Sequence, residues 1–321
     1  MITLHCGLHK TGTSSIQFAL RRARLRGVVV PKVGDDQSDG GWQERLRRLS
    51  KGGLLSDEKL LGNPFDGYAQ APARLDIVRK ALGDRPRCLV VYLRPQPDWL
   101  ESVYLQGVQQ GRLEGPEEFW SRVRDAPFLQ WSGLLDLLEA SGGAREIVVR
   151  PFGDNVDVVR DFALTCGLPS AVGQSQARAN VSISAIQAPV LRSLSASQDL
   201  SPAERGQLRS AFQHTLAPGA PNGWSAFPEA IQREILDRTR ADWLAVSARV
   251  GRFEPEAGTR FEVLQGRWKA DIRAFPTEDV VQEEMMRSLR VLASTEPLPA
   301  EIPLGLRVVK RLQRYARSRW E

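Results

Sequence analysis

Short apolar segments alternate with helical patterns through the first half of the chain, and this alternation restricts the fold more than any other feature of the sequence. Several of these segments are apolar without alternation, which is typical of strands buried on both faces. Strands that alternate with helices favour a parallel sheet covered by helices. The predicted strands are Ile2–Cys6, Gly27–Pro31, Gly53–Ser56, Arg87–Leu93 and Arg145–Arg150.

Helical patterns separate the predicted strands and then fill the second half of the chain. The predicted helices are Ser14–Arg26, Gly41–Ser50, Ala73–Leu82, Pro97–Gly111, Pro127–Ala140 and Val156–Cys166. From about Gln187 onward, helical patterns continue with almost no strand signal. We therefore predict the α/β class, with a three-layer parallel-sheet core over residues 1–185 and a mostly helical region over residues 186–321. The helical region is expected to pack on the core, so that the two form one structural domain; a separate helical domain is the alternative.

Composition narrows the class of protein. Hydrophobic residues make up 42% of the 321 residues and charged residues 26%, as in globular proteins. The sequence lacks an apolar run of about 18 residues and a signal peptide, so neither a transmembrane helix nor export is expected. Three scattered cysteines, Cys6, Cys88 and Cys166, predict a reducing, cytoplasmic environment. The net charge of +6 suits an anionic ligand, and no nucleic-acid partner is expected.

A glycine-bracketed loop follows the first predicted strand and has the features of a phosphate-binding loop. It reads G-L-H-K-T-G-T-S-S, from Gly7 to Ser15, and the hydroxyl residues Thr13, Ser14 and Ser15 open the next predicted helix. Glycines let the backbone approach an anion closely, and the N–H groups at a helix N-terminus point at it. An ordinary capped turn between strand and helix is the alternative, because serine and threonine are good N-caps.

The lysine of this loop is displaced from its position in a nucleoside triphosphate loop. That loop reads G-x-x-x-x-G-K-[ST], with the lysine directly after the second glycine. Here Thr13 follows Gly12, and Lys10 precedes Gly12 by two residues. A lysine inside the loop is better placed over a single phosphate held by the helix start than over a γ-phosphate.

A second anion site is predicted at the end of the fourth strand. The run V-V-Y-L-R ends in Arg94, and Ser102 follows eight residues later in a helical segment. A triphosphatase would need an aspartate at such a strand end to hold Mg²⁺. Arginine repels a metal ion and can bind a phosphate bidentately. Two anion sites at separate strand ends indicate a nucleotide with phosphates at two positions.

These two stretches resemble the cofactor motifs of sulfotransferases that use 3′-phosphoadenosine 5′-phosphosulfate (PAPS). The stretches are L-H-C-G-L-H-K-T-G-T-S-S-I-Q and V-V-Y-L-R-P-Q-P-D-W-L-E-S-V-Y. The resemblance is closest to bacterial members, which carry segments similar to L-L-S-D-E (Leu54–Glu58) and V-V-R-P-F (Val148–Phe152). It covers roughly residues 1–185, and the glycine-rich late loop of cytosolic sulfotransferases has no counterpart in the chain.

The resemblance implies a P-loop-like loop that holds the 5′-phosphosulfate and an arginine–serine pair that holds the 3′-phosphate. It implies sulfuryl transfer from PAPS, as co-substrate, to a hydroxyl or amine of an unidentified acceptor, with a carbohydrate, glycolipid or small metabolite expected. No metal is expected. The residues expected to bind the cofactor are Lys10, Thr11, Gly12, Thr13, Ser14, Ser15, Arg94 and Ser102.

Sulfuryl transfer needs a cation at the leaving oxygen and a base for the acceptor proton. Lys10 is the predicted cation. Glu58 is the leading candidate for the base, because it follows a strand whose carboxyl end should open on the same crevice as the loop. Asp57 and His9 are the alternatives. Each of the two leading candidates also has a non-catalytic interpretation. Glu58 could be a carboxylate in the capped first turn of a helix, and His9 could contact the substrate.

Two further segments have two interpretations each. The first is the polar cluster Arg178, Asn180 and Ser182. In one interpretation this cluster closes over the cofactor, and Arg178 and Ser182 bind its 3′-phosphate or base. In the other, the cluster supplies turn and cap residues before the next helix. The basic segment Leu304–Trp320 is predicted to be an amphipathic helix packed on the body, with peripheral membrane contact as the alternative.

Two other functions compete with sulfuryl transfer. One is a nucleotide kinase with a degenerate loop, which the missing lysine after Gly12 and the presence of Arg94 disfavour. The other is a non-catalytic module that binds an adenosine bisphosphate. The presence of Lys10 and of a candidate base favours an enzyme over such a module.

Overall fold

The structure is a computed structural model that describes residues 1–31, 38–141, 144–153, 156–174, 182–196, 200–212, 223–268 and 272–294. The described residues form two compact units, each assembled from separated stretches of chain. The first unit draws on residues 1–99, 122–179 and 235–270, and the second on residues 100–121, 180–234 and those from 271 onward.

The first unit is built on a five-stranded parallel sheet, which confirms the predicted α/β class. Its strands, in chain order, are β1 (Ile2–Cys6), β2 (Val28–Val29), β3 (Leu54–Asp57), β4 (Arg87–Leu93) and β5 (Glu146–Pro151). They lie side by side in the order β2-β3-β1-β4-β5. The predicted bounds of β1 and β4 are confirmed. Strand β2 is shorter than predicted, because Gly27 has a left-handed backbone and Pro31 has no amide hydrogen.

Helices occupy most of the remaining described residues. In chain order they are α1 (Thr13–Ala23), α2 (Asp39–Arg48), α3 (Ala71–Leu82), α4 (Gln96–Gln109), α5 (Pro116–Val123), α6 (Trp131–Ser141), α7 (Val158–Thr165), α8 (Ser170–Gly173), α9 (Gln187–Ser195), α10 (Pro202–Ala211), α11 (Glu229–Phe253), α12 (Pro255–Val263) and α13 (Glu278–Ser294). Helix α5 was not predicted from the sequence, and the helix predicted from Pro127 begins at Trp131, after a 3₁₀ turn. The mostly helical character predicted for residues 186–321 is confirmed for those of them that the structure describes.

Helices cover both faces of the sheet. Helices α1, α7 and α8 contact one another, and residues such as Ile16 and Phe162 share a core with Val90 and Tyr92 of β4. The alternate β4 residues Leu89, Val91 and Leu93 face the other way and are also fully buried. Right-handed crossovers place α2, α3 and α6 on that second face, and α3 does contact both α2 and α6.

The strand order creates a crevice at the carboxyl end of β1. Strands β1 and β3 are neighbours, but the helices that follow them, α1 and α3, lie on opposite faces of the sheet. In open α/β sheets, ligands bind outside the carboxyl ends of strands at such a switch point. The residues directly after β1, β3 and β4 therefore line the favoured position for a ligand.

The second unit is helical in its described residues. Tyr104, Phe119 and Phe227 form an aromatic cluster with ring centroids 5.5–6.1 Å apart. The Glu101 carboxylate accepts the Ala226 N–H and pairs with the Arg273 guanidinium. None of the described helices in either unit combines the length and apolar character needed to cross a bilayer.

A buried carboxylate on α11 caps α6 within the first unit. Asp242 accepts hydrogen bonds from the backbone N–H groups of Trp131 (2.7 Å) and Ser132 (3.0 Å). It also accepts from the Ser132 hydroxyl and from the Gln96 amide (2.6 Å). Backbone N–H groups at a helix start have no partner within the helix, so a charged acceptor there stabilises α6.

We expect Asp242→Ala to destabilise the protein by about 2–5 kcal/mol, because it leaves several buried donors without an acceptor. Asp242→Asn, which keeps one carbonyl oxygen, should cost about 1–2 kcal/mol. Urea denaturation measures both changes. The matched control is Asp237→Ala on the exposed face of the same helix, which should change stability by no more than about 0.5 kcal/mol. Equal effects of the two alanine variants would show that Asp242 does not cap α6.

Candidate active site at the carboxyl ends of the strands

The loop after β1 turns tightly against the end of β3. Gly7 donates its N–H to the Asp57 carbonyl (3.3 Å), and a Cβ on Gly7 would overlap the Thr13 side chain and lie 3.2 Å from the Glu58 Cα. Gly12 has φ 78°, and a Cβ there would lie 2.6 Å from Val158 Cγ1. Both glycines are thus required by close approach, and Gly12 also by its left-handed backbone.

Two hydroxyls hold the loop in this shape. The Thr11 and Thr13 hydroxyls both donate to the Leu8 carbonyl, at 2.7 and 3.0 Å, and both side chains are buried. Any ligand contact from these two predicted residues would therefore come from the backbone N–H groups. Ser14 is exposed and Ser15 is partly exposed in the first turn of α1.

The N-terminus of α1 carries an uncompensated positive dipole. Its N-cap residue, Gly12, provides no side-chain acceptor, and the first turn contains no acidic residue. Helix starts of this kind attract anions, because N–H groups and the helix dipole both favour negative charge. Lys10 adds a positive charge beside it and is held at φ 64°, an uncommon conformation for a residue with a side chain.

Charged residues from three strand ends interact in the crevice. Burial lowers the pKa of Lys10, the positive charge of Arg94 lowers it further, and the negative charge of Glu58 opposes them. Lys10 follows β1, Glu58 follows β3 and Arg94 follows β4, so Lys10 interacts electrostatically with two residues that are far from it in sequence. All three were predicted from the sequence, and the fold places Lys10 within electrostatic range of the other two.

The two carboxyl groups after β3 differ in their surroundings. Asp57 is buried, and one of its oxygens, Oδ1, accepts the Lys59 N–H at 2.9 Å. Glu58 is more exposed than Asp57 and interacts electrostatically with Lys10. Burial is the main cause that raises the pKa of Glu58, and the negative charge of Asp57 adds to it. Burial raises the pKa of Asp57 as well, so exposure is what separates the two: the partly exposed Glu58 suits a proton acceptor for a bound ligand better than the enclosed Asp57 does.

His9 is fixed by two aromatic residues that sequence analysis did not connect to it. Its backbone N–H donates to the Tyr68 hydroxyl (3.0 Å), its Nδ1 lies 3.3 Å from the same hydroxyl, and its carbonyl accepts the Trp99 indole N–H (3.0 Å). Burial lowers the pKa of His9 to about 4, and the positive charges of Lys59 and Lys10 contribute. The imidazole is therefore neutral near pH 7.

Phe152, the last residue of the V-V-R-P-F segment, makes contacts that appear only in the structure. It follows β5 and donates its N–H to the Leu93 carbonyl at 2.7 Å. The Arg94 guanidinium lies 5.9 Å from the centre of its ring, within cation–π range. A Cβ on Gly12 would lie 2.9 Å from the same ring. Phe152 therefore contacts the loop and orients Arg94, and only its position at a strand end could have signalled this.

The remaining predicted residues fall in different places. Ser102 lies on α4 in the second unit, so its pairing with Arg94 stays a prediction. Ser182 is partly exposed just before α9, also in the second unit, whereas Arg178 and Asn180 lie outside the described residues, as does the basic segment Leu304–Trp320.

His5 and two tryptophans belong to the core. His5 is fully buried in β1, with Nδ1 2.8 Å from the Ser56 hydroxyl, and burial lowers its pKa to about 3. Trp99 and Trp131 pack edge to face with centroids 5.0 Å apart. Both indoles are at most 2% exposed, so neither offers a face to an adenine ring.

Comparisons with known proteins add no assignment: no protein-family model, curated protein or solved structure matches this chain.

Acid should destabilise the protein through His5 and His9. Both titrate near pH 6.5 when unfolded, but burial lowers their folded pKa values to about 3 and about 4. Between pH 6.5 and 4 the unfolded chain thus binds more protons, and the free energy of unfolding falls as the pH falls. Each histidine contributes up to about 1.4 kcal/mol per pH unit in this window.

The measurement is urea denaturation of the wild type and the double variant His5→Asn/His9→Gln at pH 8, 6.5 and 5. The raised pKa values of Asp57 and Glu58 act in the opposite direction, but they are common to both proteins and cancel in the difference. After the offset at pH 8 is subtracted, the wild type should lose more stability on acidification than the variant. Parallel curves would contradict the prediction.

Proposed function

We propose that this protein is a PAPS-dependent sulfotransferase. The observation that carries the proposal is the convergence of Lys10, Glu58 and Arg94 at three strand ends around an uncapped helix N-terminus. The resemblance of the sequence motifs to those of sulfotransferases supports the same assignment. The acceptor is expected to be a hydroxyl or amine of a carbohydrate, glycolipid or small metabolite.

The clustered positive charge supports an anionic ligand. Lys10 and Arg94 repel one another in a partly buried crevice, which is the reason that Arg94 lowers the Lys10 pKa. An anion between them would relieve the repulsion and gain from the positive end of α1. In the proposed complex, the loop and Lys10 hold the 5′-phosphosulfate, and Arg94 holds the 3′-phosphate.

The proposed reaction assigns one role to each charged group. The acceptor oxygen forms a bond to sulfur as the bond between sulfur and the bridging oxygen of the 5′-phosphate breaks. Glu58 takes the acceptor proton, and Lys10 with the N–H groups at the start of α1 stabilises the charge that develops on the leaving oxygen. The products are the sulfated acceptor and adenosine 3′,5′-bisphosphate.

Thr13 argues against the alternative that the protein is a nucleotide kinase. This residue occupies the position of the lysine in a triphosphate loop, and its hydroxyl donates to the Leu8 carbonyl at 3.0 Å. A non-catalytic nucleotide-binding module would bind the same nucleotide, so the test that separates it from the enzyme is turnover with an acceptor.

We expect adenosine 3′,5′-bisphosphate to raise the melting temperature without added metal, because a ligand that binds only the folded state stabilises it. Arg94→Ala should weaken this binding by about 2–4 kcal/mol through loss of a charge-assisted contact. Adenosine 5′-phosphosulfate, which lacks the 3′-phosphate, should bind wild type and variant about equally. Calorimetry measures both ligands.

Arg48→Ala is the matched control, since it removes the same charge from an exposed position on α2. It should leave both affinities unchanged. If the wild type shows no thermal shift at millimolar nucleotide, the assignment of the co-substrate is wrong. If Arg94→Ala loses equal affinity for both nucleotides, Arg94 has a structural role and does not bind the 3′-phosphate.

We expect Glu58→Gln to leave PAPS affinity intact while it lowers turnover by roughly 10²–10⁴-fold, the usual range for a positioned base. Lys10→Met keeps the length of the side chain but should reduce both affinity and turnover, because Lys10 contacts the phosphosulfate before and during transfer. Binding is measured by calorimetry, and turnover is measured by sulfate transfer in an acceptor screen of sugars, lipids and phenols.

The pH profile provides the control for the role of Glu58. Activity of the wild type should fall as Glu58 becomes protonated, at a higher pH than for an ordinary glutamate, because its pKa is raised. This acid limb should vanish in Glu58→Gln. Near-normal turnover of Glu58→Gln together with an inactive His9→Gln would instead assign the base to His9.

A further inference from the structure

Tyr68 is held in a strained position beside the loop. Gly67 and Tyr68 both have left-handed backbones, with φ values of 62° and 60°. For a residue with a side chain, this conformation costs roughly 1–2 kcal/mol. The Tyr68 ring points inward, where it is fully buried and stacks on Trp99 with centroids 5.9 Å apart. Strain of this kind persists where the surrounding structure over-determines it, and it concentrates at functional sites.

The hydroxyl of Tyr68 selects one tautomer of His9. Its oxygen accepts the His9 backbone N–H at 3.0 Å, so its own proton is directed to another acceptor. Within the described part of the chain, the other hydrogen-bond partner of this hydroxyl is His9 Nδ1, at 3.3 Å. Burial raises the pKa of Tyr68 well above its usual value, so the phenol keeps its proton. A neutral imidazole that accepts at Nδ1 carries its hydrogen on Nε2.

The other ring nitrogen of His9, Nε2, could donate a hydrogen bond to a ligand. Among the described residues, the hydrogen bonds of His9 use its backbone N–H, its carbonyl and Nδ1, and none uses Nε2. Lys10 and Lys59 are the charged groups that act on the ring, so the local field favours an anion. His9 also precedes Lys10 directly in the loop that is proposed to hold the phosphosulfate.

We propose that His9 donates a hydrogen bond from Nε2 to the anionic group held by the loop, and that Tyr68 is the positioning residue that fixes the required tautomer. This inference rests on the proposed function, because it assumes that the loop binds the phosphosulfate. It assigns His9 a role as donor, in which the ring neither gains nor loses a proton during the reaction. The base is then a different group.

Side-chain ¹⁵N spectroscopy tests the tautomer directly. The chain contains three histidines, so histidine-selective labelling gives a simple spectrum, and His9→Gln identifies the resonances of His9. At pH 7 we expect a protonated Nε2 and an unprotonated Nδ1 for His9. Tyr68→Phe, which removes only the hydroxyl, should populate the other tautomer. A wild-type His9 with its hydrogen on Nδ1 would overturn the inference whether or not a nucleotide binds.

Addition of adenosine 3′,5′-bisphosphate and of PAPS tests the contact. The Nε2–H resonance of His9 should shift on binding of PAPS, while the resonances of the buried His5 stay in place. Nucleotide binding by calorimetry without a shift at His9 would refute the donor role and leave the sulfotransferase proposal standing. If calorimetry shows no binding of either nucleotide, both proposals fail together.

Kinetics separate a donor from a base. Glutamine retains an N–H donor near the position of Nε2 but cannot take a proton at neutral pH. We expect His9→Ala to lower turnover by about 10–100-fold, and His9→Gln to recover most of that loss. Tyr68→Phe should lower turnover by about tenfold at a temperature where the variant remains folded. Equal inactivity of His9→Gln and His9→Ala would overturn the donor role.

Discussion

The candidate site depends on the close approach of the loop after β1 to the end of β3. Gly7 lies against both Thr13 and the Glu58 backbone, with no room for a side chain. The Leu8 carbonyl then accepts the Thr11 and Thr13 hydroxyls, which sets the start of α1. The parallel sheet places β4 on the other side of β1, so the same loop holds Lys10 between the ends of β3 and β4, where it interacts with Glu58 and Arg94.

The local sequence pattern predicted the strands and the strand-end residues that depend on neighbouring residues in the chain. Strands β1 and β4 have the predicted bounds, because each is a short, largely apolar segment that ends directly before a glycine or an arginine. Lys10, Glu58 and Arg94 could be predicted because strand ends of a parallel sheet share one edge. The contact between His9 and Tyr68 spans 59 residues and needs a left-handed tyrosine, which no local pattern indicates. The inward orientation of the Thr11 hydroxyl depends on the loop closure itself.

The site also shows how a fold can hold like charges together. Lys10 and Arg94 are placed by different strands, so the covalent and hydrogen-bonded framework of the sheet keeps them near one another despite their repulsion. This repulsion lowers the stability of the folded protein in the absence of a ligand. The left-handed backbones at Lys10 and Tyr68 lower it in the same way. Such preorganisation lowers the cost of arranging the groups during binding or reaction.

The cap that Asp242 provides for α6 has a consequence for synthesis of the chain on the ribosome. The five strands of the sheet and the charged strand-end residues are made within the first 151 residues, but the carboxylate that completes the start of α6 comes about 110 residues after Trp131. Until α11 has emerged, the buried donors at Trp131 and Ser132 have no such acceptor. The α/β unit is therefore expected to complete its fold only after α11 has been synthesised, which is later than the synthesis of its last strand.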